Sequence, residues 1–131
     1  MEERRYFIAI FGGPSAGKYP VKGGCYPVPH AYWGHYCPHG MYKGDWILLY
    51  CTSTYPGYYC QAPGIGEVTD TKVRGNEVFV HYDYKPLLSP IPRSTIDNCL
   101  TIGERRRFRY PRLKCNWLIP IEPTSFHCFK C

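Results

Sequence analysis

The segment GDWILLYC, residues 44–51, decides the fold that the sequence predicts. Its Gly-Asp pair is a turn signal, and the unbroken apolar run that follows is typical of a buried β-strand. Downstream, GIGEVTDTKV (residues 64–73) predicts a second strand, and the alternating NEVFVHYDY (residues 76–84) predicts a third. A turn-forming Arg-Gly-Asn break separates the last two, so residues 65–84 are predicted to form a β-hairpin.

Shorter elements are predicted on both sides of this centre. A strand over Arg5–Phe11 comes first, and a Gly/Pro-rich loop is expected from Gly12 to about Pro29. The elements expected after the hairpin are a proline-rich crossing segment (residues 85–94), a short helix Thr95–Cys99 capped by Ser94, an edge strand (residues 108–114), a short strand (residues 117–121) and a helical segment Pro123–Phe129.

The composition indicates one small α+β, β-rich domain over residues 1–131. The chain has 13 Gly and 13 Pro, which disfavour long helices, and 13 Tyr, 6 Phe and 3 Trp, which favour strands and stacking surfaces. No apolar stretch approaches the ~18 residues of a membrane helix. The apolar run Tyr6–Phe11 is too short for the core of a signal peptide. We therefore expect a cytoplasmic protein with no membrane partner.

The sequence offers no positive case for catalysis, a bound cofactor or a nucleotide site. Gly12, Gly17 and Lys18 have the spacing of a phosphate-binding P-loop, but Tyr19 stands where a magnesium-binding hydroxyl is needed. Pro20 then removes an amide from the helix start that such a loop requires. No His-x-Glu triplet occurs, which argues against a zinc deaminase.

A basic segment predicts contact with nucleic acid. The formal net charge is +6, and residues 105–114, RRRFRYPRLK, hold six of the sixteen Lys and Arg residues and no acid. Cations interleaved with aromatic residues suit a phosphate backbone and stacked bases, although a solvated basic strand or loop has the same pattern. The predicted phosphate-binding residues are Arg105, Arg106, Arg107, Arg109, Arg112 and Lys114.

Four motifs in this order resemble the EVE domains, which are relatives of the YTH domains within the PUA-like superfold. The motifs are Trp33-Gly34, the Gly-Asp pair with a strand ending in Tyr50, Gly-Ile-Gly-Glu-Val at residues 64–68, and Ile-Pro-Ile at residues 119–121. The resemblance implies a PUA-like curled sheet or barrel of five to six strands with short flanking helices. It also implies a module that takes a modified base, flipped from DNA or RNA, into an aromatic pocket.

The resemblance further implies the partners and the pocket. DNA is favoured over RNA, and a fused or associated nuclease or ATPase subunit is expected, as in modification-dependent restriction. Trp33 is the leading pocket wall, Tyr50 or Tyr55 the second wall, and Ser53 a hydrogen-bonding group for the edge of the base. Trp46 and Trp117 are assigned either to the pocket or to the core.

The eight cysteines leave the question of metal binding open. Cys25, His30, His35, Cys37 and His39 lie within fifteen residues, and His127, Cys128 and Cys131 lie at the other end of the chain. Structural zinc takes four Cys or His ligands, commonly as two closely spaced pairs, but a single Cys-x-x-Cys is a weak signal. Free thiols and one or two disulfides are the alternatives, and we predict no metal site.

Two other functions fit the sequence. A metal- or disulfide-stabilised adaptor would bind protein through its Tyr-rich surface, since aromatic surfaces also suit protein interfaces. An RNA binder of the ASCH type, or a PUA-like enzyme, would share the fold without specificity for a modified base.

Overall fold

The computed structural model describes residues 5–12, 24–29, 44–54, 57, 59–74, 77–109 and 118–129. Six strands and three short helices lie in these ranges. In chain order they are β1 (Tyr6–Phe11), β2 (Gly24–Pro29), β3 (Trp46–Cys51), β4 (Gln61–Arg74), β5 (Glu77–Pro92), α1 (Arg93–Cys99), α2 (Ile102–Arg109), β6 (Leu118–Ile121) and α3 (Pro123–Phe129). The prediction of a small, strand-rich α+β domain is confirmed.

The strands form one mixed sheet in the order β2-β5-β4-β3-β1-β6. β1 and β3 pair in parallel, and the other neighbours are antiparallel. In the described part of the chain β2 and β6 are the two edges, and the sheet does not close. The barrel alternative of the sequence prediction is therefore wrong, because the strands at the two ends of the order do not pair.

The central strands are apolar along their whole length because both faces are covered. In β1 and β3 every residue after the first is buried, which explains the unbroken apolar runs YFIAIF and WILLYC. The three helices pack on the same core through Ile96, Phe108, Phe126 and Phe129, and Leu100 joins this core just after α1.

The Gly-Asp pair before β3 forms hydrogen bonds with β4 and with Arg5, the residue before β1. Gly44 has φ +99°, a conformation that favours glycine, and its N–H donates to the Val68 carbonyl at 2.9 Å. Val68 N–H donates in return to the Asp45 carbonyl at 2.8 Å. The buried Asp45 carboxylate accepts a hydrogen bond from Arg5 Nη2 at 2.9 Å and one from Arg5 N–H at 3.3 Å. The two motifs at residues 44–45 and 64–68 are thus coupled structurally.

The glycines of the Gly-Ile-Gly segment make room for tyrosine rings of β5. A Cβ at Gly66 would lie 2.8 Å from the Tyr82 ring. A Cβ at Gly64 would meet the Tyr84 ring and would lie 2.8 Å from the Lys85 carbonyl oxygen. Because that oxygen belongs to the backbone, it has less freedom to move than the end of a flexible side chain.

We therefore expect Gly64→Ala to lower the free energy of unfolding by about 1–3 kcal/mol through overpacking. Urea unfolding followed by circular dichroism measures this loss. Gly103→Ala is the matched control, because a Cβ there meets nothing within 4 Å and alanine favours the helix. Equal stability of wild type and Gly64→Ala would contradict the close approach of β4 and β5.

Three predicted elements differ in the structure. Residues 85–92 extend β5 instead of crossing the sheet, and the ladder register shifts between Gly64↔Pro86 and Ala62↔Ile91. A bulge of this kind accommodates prolines, which cannot donate to a ladder. Part of the expected loop is the edge strand β2, where prolines are also tolerated. The predicted edge strand at residues 108–114 begins inside helix α2.

The remaining predictions for the C-terminal half are confirmed, except that Ser94 as the N-cap of the first helix is wrong. The hairpin, the short strand β6 and helix α3 lie where expected, and helix α3 begins at Pro123. Helix α1 covers the predicted Thr95–Cys99 but begins at Arg93 with Pro92 at the N-cap position, so Ser94 lies inside its first turn.

Candidate nucleic-acid interface

Helix α2 begins with a capping box formed by Thr101 and Glu104. Thr101 N–H donates to Glu104 Oε1 at 2.9 Å, and Glu104 N–H donates to Thr101 Oγ1 at 3.3 Å. Reciprocal bonds of this kind satisfy two amides that a helix start leaves without partners. The Thr-x-x-Glu spacing is a sequence signal for this helix that the predicted elements did not include.

The same buried carboxylate ties α2 to α3. Glu104 Oε2 accepts a hydrogen bond from Glu122 N–H at 2.6 Å, and Glu104 Oε1 accepts one from Ser125 Oγ at 2.7 Å. Glu104 and Ser125 are both buried. A buried carboxylate is stable only where hydrogen bonds compensate its desolvation, and here three donors converge on it. Glu104 therefore fixes the position of the basic helix.

One turn further along α2, Phe108 packs against the end of β3. The Phe108 and Tyr50 ring centroids lie 4.7 Å apart at an interplanar angle of 73°, an edge-to-face contact. Tyr50 is 5% exposed. Burial, followed by a hydrogen bond to Cys60, raises the pKa of the Tyr50 hydroxyl well above its usual range. Tyr50 is thus a core side chain, and its role as a pocket wall stays a prediction.

The arginines of α2 differ in their surroundings. Arg105 is half-buried, and its guanidinium donates to the Asp97 carbonyl at 3.0 Å and to the Leu100 carbonyl at 3.4 Å, where α1 ends. Arg106 is exposed. Since Glu104 and Phe108 occupy the buried face, Arg106 lies on the outward face of the helix. Arg106 is therefore the better placed of the two for a phosphate.

The turn after β3 presents exposed hydroxyl groups. Ser53 and Thr54 are exposed, and Thr54 N–H donates to Thr52 Oγ1 at 3.4 Å. Cys60 N–H donates to the Thr52 carbonyl at 3.5 Å, which brings the two ends of the turn together. Ser53 is thus accessible, as its predicted contact with a base requires.

The structure does not bring all predicted pocket residues together. Trp46 begins β3 and lies 6.5 Å from the Phe126 ring, whereas Ser53 follows the opposite end of the strand. A six-residue strand spans about 17 Å between its ends, so these two side chains do not share one base-sized pocket. Trp33, Tyr55 and Trp117 lie outside the described residues, as do Arg112, Lys114 and the side chains of Arg107 and Arg109.

A disulfide joins the last residue of α1 to α3. Cys99 and Cys128 are bonded, with their Cα atoms 5.6 Å apart. Cys128 is therefore not available as a thiolate ligand for zinc while this bond exists. Within the described ranges no three His, Cys, Asp or Glu side chains converge as a metal site would require. The other metal-ligand candidates lie outside these ranges, except for the Cys25 backbone and His127.

The free thiol of Cys51 is shielded by the sheet. Cys51 is fully buried, and desolvation raises the pKa of its thiol to about 12. Folding therefore favours the neutral thiol. Its contribution to the free energy of unfolding is complete below the unfolded pKa of about 8.5 and is lost as the pH rises toward 12.

We expect the free energy of unfolding to fall across this pH window, and to fall less in Cys51→Ala. Urea midpoints of the wild type and of Cys51→Ala at pH 7, 9 and 10.5 test this. An equal loss of stability with pH in the two proteins would contradict it.

No protein-family model matches the chain, and no curated protein matches it. None of the helices in the described ranges has the length and apolar character that crossing a membrane requires.

Proposed function

We propose that the chain is a nucleic-acid-binding reader of the EVE type, with a PUA-like fold, that accommodates a modified base in an aromatic pocket. The proposal rests on the motif order described above and on the basic charge of the chain. The hydrogen bonds between the Gly-Asp turn and Val68 support it, because they join two of the four motifs structurally.

The contact between Phe108 and Tyr50 carries the proposal. It sets a helix with an outward-facing arginine against the strand end from which the exposed Ser53 extends. A phosphate-binding cation and a hydrogen-bonding group for a base are thus held on neighbouring elements. Phosphate contacts supply affinity and position the chain, while contacts to the base supply specificity.

The energetics of base flipping fit such an arrangement. Extruding a base costs a few kcal/mol, and stacking on an aromatic ring returns about 1–3 kcal/mol. The cationic surface supplies the remaining free energy through release of counterions. We assign DNA as the preferred nucleic acid, a nuclease or ATPase as the associated subunit, and the cytoplasm as the compartment. Trp33 and Tyr55 are the proposed walls.

The salt dependence of binding tests the interface on α2. Arg106→Ala introduces another good helix former and removes one outward charge. The slope of the logarithm of the binding constant against the logarithm of the salt concentration should therefore become shallower by about 0.9 on duplex DNA. Fluorescence anisotropy at several salt concentrations measures this slope. Lys72→Ala, an exposed cation on the long hairpin, is the matched control and should leave the slope unchanged. An unchanged slope in Arg106→Ala would remove α2 from the interface.

A second candidate function is favoured by the disulfide between Cys99 and Cys128. Disulfides are uncommon in the cytosol. Outside the cytosol they stabilise small domains, including domains that bind other proteins. This chain would then be a disulfide-stabilised adaptor. Absence of nucleic-acid binding at low salt, together with a large loss of stability on reduction, would favour the adaptor over the reader.

A further inference from the structure

An exposed tyrosine lies where the turn after β3 meets helix α1. Tyr59 is 60% exposed, although a tyrosine ring is large enough to gain from burial. The next residue, Cys60, has φ +55°, and its carbonyl accepts a hydrogen bond from Arg93 N–H at 3.0 Å. Tyr59 and the first residue of α1 are therefore close neighbours on the surface. We call the exposed residues Thr54, Tyr59 and Arg93 the strand-end patch.

Arg93 gives this patch a positive charge. Its side chain is exposed, and its charge acts on the Tyr50 hydroxyl, lowering a pKa that burial raises. The Tyr50 hydroxyl in turn bonds to Cys60, whose carbonyl holds the Arg93 N–H, so Arg93 starts α1 on the Cys60 side of the strand end. Arg93 also precedes the basic run at residues 105–114, and it is not among the predicted phosphate-binding residues.

We propose that the strand-end patch binds an unpaired nucleotide, with the base stacked on the Tyr59 ring and the phosphate held by Arg93. An aromatic face beside a cation, with hydroxyls nearby, is the combination by which proteins hold single-stranded nucleic acid without reading its sequence. The charge supports nucleic acid over a protein partner, because the chain carries six excess positive charges. The inference rests on the proposed function and adds that a nucleotide outside the pocket is also held.

A single-stranded probe without any modification tests this patch separately from the pocket. A fluorescein-labelled oligo(dT) should bind the full chain in low salt, and Tyr59→Ala should weaken this binding by about 5- to 150-fold. Tyr59→Phe retains the stacking face and should bind as the wild type does. Arg93→Ala keeps the backbone N–H that bonds to Cys60, and should make the salt slope shallower by about 0.7.

Melting temperatures show whether the variants fold, and Lys72→Ala serves as the charge control. Wild-type affinity of folded Tyr59→Ala for oligo(dT), or failure of the wild type to bind it, overturns the inference. If the preference for modified duplex DNA persists in either case, it still supports the reader function. Conversely, oligo(dT) binding that depends on Tyr59 without any modified-base preference supports the patch and contradicts the reader function.

Discussion

Replacing Glu104 with alanine is expected to lower the free energy of unfolding by about 3–4 kcal/mol. Three donors, Thr101 N–H, Glu122 N–H and Ser125 Oγ, lose their acceptor in this variant. Hydrogen bonds to charged groups contribute about 1.5–3 kcal/mol each, and bonds that share one acceptor do not add fully. Since small domains are stable by only about 5–15 kcal/mol, this single change removes a large share of the total.

Two milder variants show whether the hydrogen bonds cause this loss. Glu104→Gln keeps the size but sets an NH₂ group against a backbone N–H, so it should cost about 1–3 kcal/mol. Ser125→Ala removes one donor and should cost about 1 kcal/mol. Urea unfolding gives all three values. A Glu104→Ala protein as stable as Ser125→Ala would mean that this carboxylate does not hold α2 against α3.

Tyr50→Ala is expected to cost about 3–5 kcal/mol, the range observed when large aromatic core residues are truncated. The ring is buried and packs edge-to-face on Phe108, so its removal leaves a cavity between β3 and α2. Tyr50→Phe keeps the ring, loses the bond to Cys60 and should cost about 1 kcal/mol.

Tyr50→Ala and Tyr50→Phe also show whether Tyr50 is a core residue or a pocket wall. A core tyrosine loses stability on truncation, whereas a wall loses affinity for the ligand with the fold intact. If Tyr50→Ala unfolds at the wild-type urea concentration and binds modified DNA more weakly, Tyr50 belongs to the pocket and its packing on Phe108 contributes little.

The centre of the fold followed from local sequence patterns. β3 and the hairpin were predictable because an apolar run between turn signals, and alternation about an Arg-Gly-Asn break, each specify one backbone geometry. Helix α2 was not predicted, because its arginines and Phe108 suggested an exposed strand. Its position depends on Glu104, which accepts hydrogen bonds from Glu122, just before α3, and from Ser125 within α3. These long-range bonds leave no local signature, whereas the Thr-x-x-Glu spacing of the capping box is a local signal for the helix.

The candidate site was predictable only in part, for the same reason. Ser53 is exposed as its predicted role requires, since a polar turn after a buried strand lies at the surface. Tyr50 is buried because α2 packs against β3, and the Arg105 guanidinium donates to two carbonyls because α2 lies against the end of α1. Neither contact follows from a local sequence pattern. The separation of Trp46 from Ser53 follows directly from strand length, and the sequence contained that information.

The most direct measurement is a titration of the wild-type chain against pairs of duplexes that differ in one modified base. Each pair carries a common methylated base or its unmodified counterpart, and anisotropy gives both affinities. At least one modified duplex should bind about tenfold tighter or more, which corresponds to about 1.4 kcal/mol. Arg106→Ala should weaken both members of that pair alike, because a phosphate contact is independent of the base. Equal affinities within every pair would contradict the proposal that this chain reads a modified base.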